Sequence, residues 1–102
     1  MQVALTVWQG RISPLFDATR MLLVADIIKD KVAATHYEPF TDDSAFHRAL
    51  KLTDLGISIL ICGGISDDFA KPIEAQGIQI IPFVSGSVDE VLDAYTTGLL
   101  PG

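Results

Sequence analysis

Ile57-Ser58-Ile59-Leu60-Ile61-Cys62 is a short apolar, β-branched run closed by Gly56 on one side and by Gly63 and Gly64 on the other, with helical periodicity both before and after it. A strand entered from one helix and left into another is joined to its neighbours by crossovers, which connect parallel strands with right-handed chirality. The chain is thereby committed to an α/β sheet. Upstream, Asp42 and Asp43 offer N-caps, and Phe46, Ala49, Leu50 and Thr53 recur at helical spacing until Gly56 supplies a stop. Downstream, residues 66–76 read as a second helix ended by Gly77. Pro72 inside it deletes a backbone hydrogen bond, which predicts a start near Asp68 or a distorted first turn. Ile78-Gln79-Ile80-Ile81-Pro82 is the last strand, placed at a sheet edge because Pro82 cannot donate to a ladder. Ser87 and Glu90 form a capping box ahead of Val88, Val91, Leu92 and Tyr95, the apolar stripe of a third helix.

The first forty residues have a different rhythm. Val3-Ala4-Leu5-Thr6-Val7-Trp8 is short, β-branched and aromatic, and it ends at Gly10, as a central strand does. Residues 20–28 and 32–38 are two further extended runs separated by Lys29-Asp30-Lys31, the pattern of a hairpin, and Pro39 ends the second of them. The order is β-β-β-α-β-α-β-α in one domain over residues 1–102. It predicts a mixed five-stranded sheet with helices on its faces, the first, fourth and fifth strands parallel and the hairpin antiparallel. Leu5, Val7, Ile59, Leu60, Ile61 and Ile80 are the sheet's expected share of the core.

Composition narrows the function classes. Hydrophobic residues make up 49% and charged ones 20%, enough apolar surface to offset the entropy of ordering the chain. The longest apolar stretches, residues 21–25 and 57–62, fall far below the roughly 18 residues of a membrane-spanning helix. Met1-Gln2-Val3-Ala4 lacks the basic flank and cleavage site of a secretory signal, which predicts a cytoplasmic protein. Seven Lys and Arg against 13 Asp and Glu leave a formal net charge of -6, so neither nucleic acid nor anionic membrane is an expected partner. One cysteine and two histidines, His36 and His47, make neither an internal disulfide nor a spaced zinc signature, and both histidines read as surface residues. A two-metal nuclease needs carboxylates clustered on its strands, and the first strand has none.

Three segments together resemble a known family: Gly10-Arg11-Ile12-Ser13-Pro14-Leu15-Phe16-Asp17 after the first strand, Cys62-Gly63-Gly64-Ile65-Ser66 after the fourth, and the stretch from Gly77 to Gly86. They look like the dinitrogenase iron-molybdenum cofactor biosynthesis family, which includes NifX-like proteins and the carboxyl-terminal domain of NifB-like proteins. The resemblance spans nearly the whole chain. It implies a ribonuclease-H-like three-layer fold and a non-enzymatic role in binding, carrying or storing an iron-sulfur-type or iron-molybdenum cofactor precursor. It also implies cofactor-donor or cofactor-acceptor proteins as partners. Many members carry a His-Phe-Gly motif that falls here on Leu15-Phe16-Asp17, so the aromatic residue is kept and the histidine is not.

The candidate site follows from both lines. Cys62 closes a buried strand where ligands of parallel sheets bind; it reads either as a metal-ligating thiolate or as a small buried hydrophobe. Gly63 and Gly64 lead to the helix start at Ser66, either a plain turn and cap or a place for an anion on free N–H groups. The loop over residues 12–17 offers Ser13, Phe16 and Asp17 to a ligand mouth or folds over the core, and Arg11 and Asp17 stand where they can pair. This loop and Cys62 are expected to converge at one end of the sheet. The rival to a cofactor carrier is an interaction or regulatory module that has lost cofactor binding, and the Leu99-Leu100 tail offers a surface for pairing with a second copy.

Overall fold

Left-handed two-residue turns build the amino-terminal half of the molecule, whose structure, a computed structural model, describes residues 1–100. β1 (Gln2–Trp8) turns at Gln9 and Gly10, φ 52° and 74°, into a short β2 (Arg11–Ile12) that pairs antiparallel with it, Val7 opposite Ile12. This corrects the five-stranded expectation: the sheet has six strands, because a left-handed pair of residues matches strand twist and returns the chain as a hairpin. β3 (Met21–Ile28) and β4 (Lys31–Pro39) form the predicted antiparallel hairpin, turning at Lys29 and Asp30 with φ 53° and 63°. β5 (Ile57–Ile61) and β6 (Gln79–Ile81) complete the sheet. Its order is β4-β3-β1-β5-β6 with β2 beside β1; β1, β5 and β6 are parallel, and β6 lies at the edge just before Pro82.

Period-2 alternation sends the strands' side chains into two cores. Val3, Leu5, Val7, Ile61 and Ile81 face α3 (Val88–Thr96), which contributes Val88, Val91 and Leu92. Ala4, Leu22, Val24, Leu60 and Cys62 face α1 (Ala45–Asp54) and α2 (Asp67–Ala75), which contribute Ala49, Leu52 and Ile73. Of the predicted sheet core, Leu5, Val7, Leu60 and Ile61 are buried, while Ile59 and Ile80 pack at its margin.

The helices depart from the sequence reading in two places, both in α1. α1 is capped by Ser44, whose hydroxyl accepts from His47 N at 3.0 Å, not by Asp42 or Asp43. It turns inward a stripe of Arg48, Ala49 and Leu52, leaving Phe46 and Leu50 exposed. The phase differs because Arg48 is bonded to carbonyls inside the protein, so a charged residue occupies the buried face. Pro72 lies within α2, which starts at Asp67, one residue from the expected start, with Ser66 as cap, whose carbonyl accepts from both Phe69 N at 3.2 Å and Ala70 N at 2.9 Å. Ser87 Oγ accepts from Glu90 N at 3.2 Å, the expected start of α3.

Candidate functional site

Because β1, β5 and β6 are parallel, the segments that leave them emerge at the same end of the sheet, where three loops are stitched together by backbone hydrogen bonds. Phe16 N donates to Gly64 O at 2.7 Å, and Gly64 N donates to Pro14 O at 2.8 Å. On the far side, Phe83 N donates to Gly63 O at 2.9 Å and Val84 N to Cys62 O at 3.0 Å. Ile12 N closes the ring on Gly86 O at 2.9 Å. The loop over residues 12–17 and the Cys62-Gly63-Gly64 turn therefore converge, as the topology predicts. Between them lies a cleft of about 410 Å³ bounded by Arg11, Ile12, Pro14, Gly63, Gly64 and the chain from Phe83 to Gly86. Its glycines offer backbone where other residues would offer side chains, and Arg11, exposed at the rim, brings positive charge.

The candidate residues divide between this cleft and the core behind it. Gly63 and Gly64 line the cleft. Ser13 is buried and its hydroxyl donates to Leu15 O at 3.4 Å. Phe16 is fully buried, its ring 5.4 Å from Phe40 and 5.8 Å from Phe69 in edge-on contacts, so it anchors the loop and does not face the cleft. Asp17 does not pair with Arg11. Its carboxylate accepts from Ser66 N at 3.3 Å, putting a negative charge at the start of α2 where Ser66 makes no side-chain cap, beside Asp67 and Asp68. That start already holds its anion. Cys62 is fully enclosed among Phe16, Leu60 and Ile73. Burial, reinforced by the negative Asp17, pushes its thiol up to about 12, so it is protonated at neutral pH. The sulfur has the surroundings of a small hydrophobe and no exposed surface in this conformation.

Neither histidine joins the site. His36 lies exposed on the edge strand β4 with Nε2 3.4 Å from Glu38, and His47 is exposed with Nδ1 2.9 Å from Ser44 Oγ. Among the described residues, no three His, Cys, Asp or Glu side chains gather as a metal-binding group. No helix among them is long and apolar enough to cross a membrane.

Two features of this end of the molecule lie beyond the sequence reading. The chain from Phe83 to Gly86 forms the cleft's second wall; the sequence marked the stretch from Gly77 to Gly86 but assigned none of it to the site. Exposed apolar side chains stand at this end: Phe83, 80% exposed, lines the cleft, while Trp8, 60% exposed, and Leu15, 45% exposed, line a separate hollow on the other side of Pro14. Phe83 also has φ 62°, a left-handed conformation that costs a bulky residue about 1–2 kcal/mol.

The fold is shared with solved structures. The crystal structure of PH0822 superposes with a TM-score of 0.91 at 22% identity, covering 99% of this chain and 95% of that one. MJ0327 from Methanocaldococcus jannaschii gives 0.79 at 22%, covering 99% and 92%. The apo form of the orange protein from Desulfovibrio gigas gives 0.81 at 19%, covering 98% and 90%. No curated protein matches the sequence. The model of the family described as dinitrogenase iron-molybdenum cofactor matches residues 1–98, which span the whole sheet and α1, α2 and α3, and the chain belongs to that family.

Proposed function

We propose that the protein is a non-catalytic carrier that holds an anionic metal-sulfur cofactor precursor in the cleft between Arg11, Gly63 and Gly86. The observation that carries this reading is the convergence of three backbone-stitched loops at the carboxyl ends of the parallel strands, around glycines and beside Arg11, which has no ion-pair partner among the described residues. Ligands of open α/β sheets bind at that end, and about 410 Å³ lies within the ordinary range of small-ligand clefts. Family membership supports the cargo class. The cargo is gripped by shape, by backbone and by the Arg11 charge, which suits loading and release better than a full set of thiolate ligands does. The sheet order likewise supports a ribonuclease-H-like reading of the fold, with β2 an addition beside β1.

Anaerobic incubation with ferrous iron and sulfide, followed by gel filtration and metal analysis, tests the carrier. The parent should elute with iron and visible absorbance, Arg11→Ala should retain several-fold less, and His36→Ala and His47→Ala should match the parent. A colourless parent overturns the reading. Cys62→Ser should keep its uptake; loss of uptake in a folded Cys62→Ser would move the site from the cleft to the thiol.

The exposed side chains of Trp8, Leu15 and Phe83 favour a second reading, a module that docks on another protein through this end. Aromatic residues beside arginine are the composition of interface hot spots. A colourless parent whose copurifying partner is lost on Trp8→Ala would establish it. Cofactor-donor or cofactor-acceptor proteins, docking on those side chains to load or empty the cleft, reconcile the two.

A further inference from the structure

Arg48 is the largest fully buried side chain of the protein, 1% exposed, and no carboxylate lies within ion-pair distance of it among the described residues. Its guanidinium donates from Nε to Asp42 O, from Nη1 to Phe16 O at 2.6 Å and from Nη2 to Thr19 O at 2.8 Å. Three rings surround the charge: Phe40 at 4.5 Å, Phe16 at 5.3 Å and Phe69 at 5.5 Å from the guanidinium carbon. Burying a charge without a counter-ion is costly, and an unbranched apolar side chain would fill the same space without that cost. What only arginine supplies is a rigid fork that meets several carbonyls at once. Two of those carbonyls flank one irregular element, the 3-10 turn Phe16–Ala18, whose Thr19 leads into β3.

That turn is the back of the cleft loop. Pro14 and the carboxylate that caps α2 stand on it or beside it, and beneath it two polar groups are sealed in the core. One is Cys62. The other is Thr6, fully buried, whose Oγ1 is the buried side-chain oxygen or nitrogen without a hydrogen-bond partner among the described residues. Thr6 follows Ala4 by two residues on β1 and pairs with Leu22, so it faces the α1 and α2 side; Cys62 follows Ile61, the register partner of Leu5, and belongs to the same side. Thr6 and Cys62 are thus neighbours on adjacent strand ends below Phe16.

We propose that Arg48 is a positioning residue that latches the Phe16–Ala18 turn closed, fixing the cleft wall at Pro14 and sealing the Thr6 and Cys62 pair from solvent. The effect on cargo rests on the carrier reading; the effect on the turn does not. Released from the latch, the turn loses its two cross-links to α1 and lifts with Phe16, exposing the thiol without unfolding the sheet.

Labelling of Cys62 by a disulfide reagent, with global unfolding in urea measured on the same samples, tests the latch. In Arg48→Met, labelling without denaturant should rise at least about tenfold beyond what its change in global unfolding accounts for, the consequence of losing charge-assisted hydrogen bonds. The labelling rate should be nearly independent of low urea, the mark of a local opening. Arg48→Lys, whose ammonium cannot span both carbonyls, should fall between Met and parent, and it decides the matter if Arg48→Met does not fold. Labelling that follows the global unfolding constant in every variant overturns the latch, leaving Arg48 a packing residue. Iron and sulfide uptake on the same variants separates the two readings: a parent without uptake removes the carrier, while the labelling result still decides the latch.

Discussion

A Cβ on Gly63 would lie 2.5 Å from the carbonyl oxygens of both Ser13 and Pro14, backbone atoms that cannot swing aside. The closeness of loop and turn, and hence the cleft, depends on the absence of one carbon. Gly63→Ala should lower unfolding stability by about 2–3 kcal/mol, read as a reduced urea midpoint. Gly64→Ala meets Pro14 O only at 3.5 Å and should cost far less at that contact. Cys62 gives a prediction in pH. Its thiol ionises near 9.0 when unperturbed and near 12 in the fold, so between those values the unfolded chain has released a proton that the native protein keeps. Stability must therefore fall as pH rises through that window, by at most about 1.4 kcal/mol per unit from this group, and be insensitive to it at pH 7. Comparing the parent with Cys62→Ala between pH 7 and pH 11 should show the difference opening only on the alkaline side. Tyr95, whose phenol burial also pushes up, contributes with the same sign in both proteins and cancels.

At the scale of elements, turns with left-handed backbone set the register. Lys29 and Asp30 both adopt positive φ without a glycine, joining β3 to β4 at Ile28 opposite Lys31. Asp30→Gly should raise the thermal midpoint, with a gain of up to about 1 kcal/mol, because glycine adopts that conformation without strain. A lowered midpoint would show that the Asp30 side chain matters more than its backbone. β4 carries seven consecutive exposed residues, 31–37, along the sheet edge, and it is blunted against further pairing by a bulge near Val32 and by Pro39 at its end. The phase of α1 shows how an element's buried face depends on its surroundings. Phe46 and Leu50 make one apolar stripe and Ala49 and Leu52 another; the second wins because it brings Arg48 to the carbonyls of Phe16 and Thr19.

The molecule as a whole is a sheet with unequal covers, α1 and α2 on one face and α3 alone on the other, with β1 bonded on both sides at its centre. Opening β1 disrupts both cores at once, whereas β4 has β3 as its one strand neighbour among the described residues and a single ion pair, Glu38 with Lys51 at 3.8 Å, toward α1. Native-state hydrogen exchange should therefore find the amides of Leu5 and Leu60 exchanging only through global unfolding, and the outward amides of β4 exchanging orders of magnitude faster. Equal protection across the sheet would mean that β4 is covered in solution by a contact outside this chain. The cleft lies beyond the ends of β1, β5 and β6, so two of the three strands behind it are the interior ones whose amides should open last.

Apart from the short β2, the order of the elements, the parallel set and the convergence of the loop over residues 12–17 with the Cys62-Gly63-Gly64 turn were legible in the sequence. They follow from local patterns, alternation in strands and glycine stops after helices, together with the chirality of crossovers, none of which needs distant contacts. Burial of Cys62 was one of the two readings its sequence offered, and only the packing of Phe16, Leu60 and Ile73 around it decides between them. The acceptance of Ser66 N–H by Asp17 and the inward turn of Arg48 were not legible, because each depends on a partner 49 or 32 residues away along the chain, from Asp17 to Ser66 and from Phe16 to Arg48. A charge is assigned to the surface by sequence reasoning because isolated burial is costly. Only the tertiary structure supplies the carbonyls and rings that offset that cost, so only it could decide that Arg48 lies inside and that Phe46 lies outside.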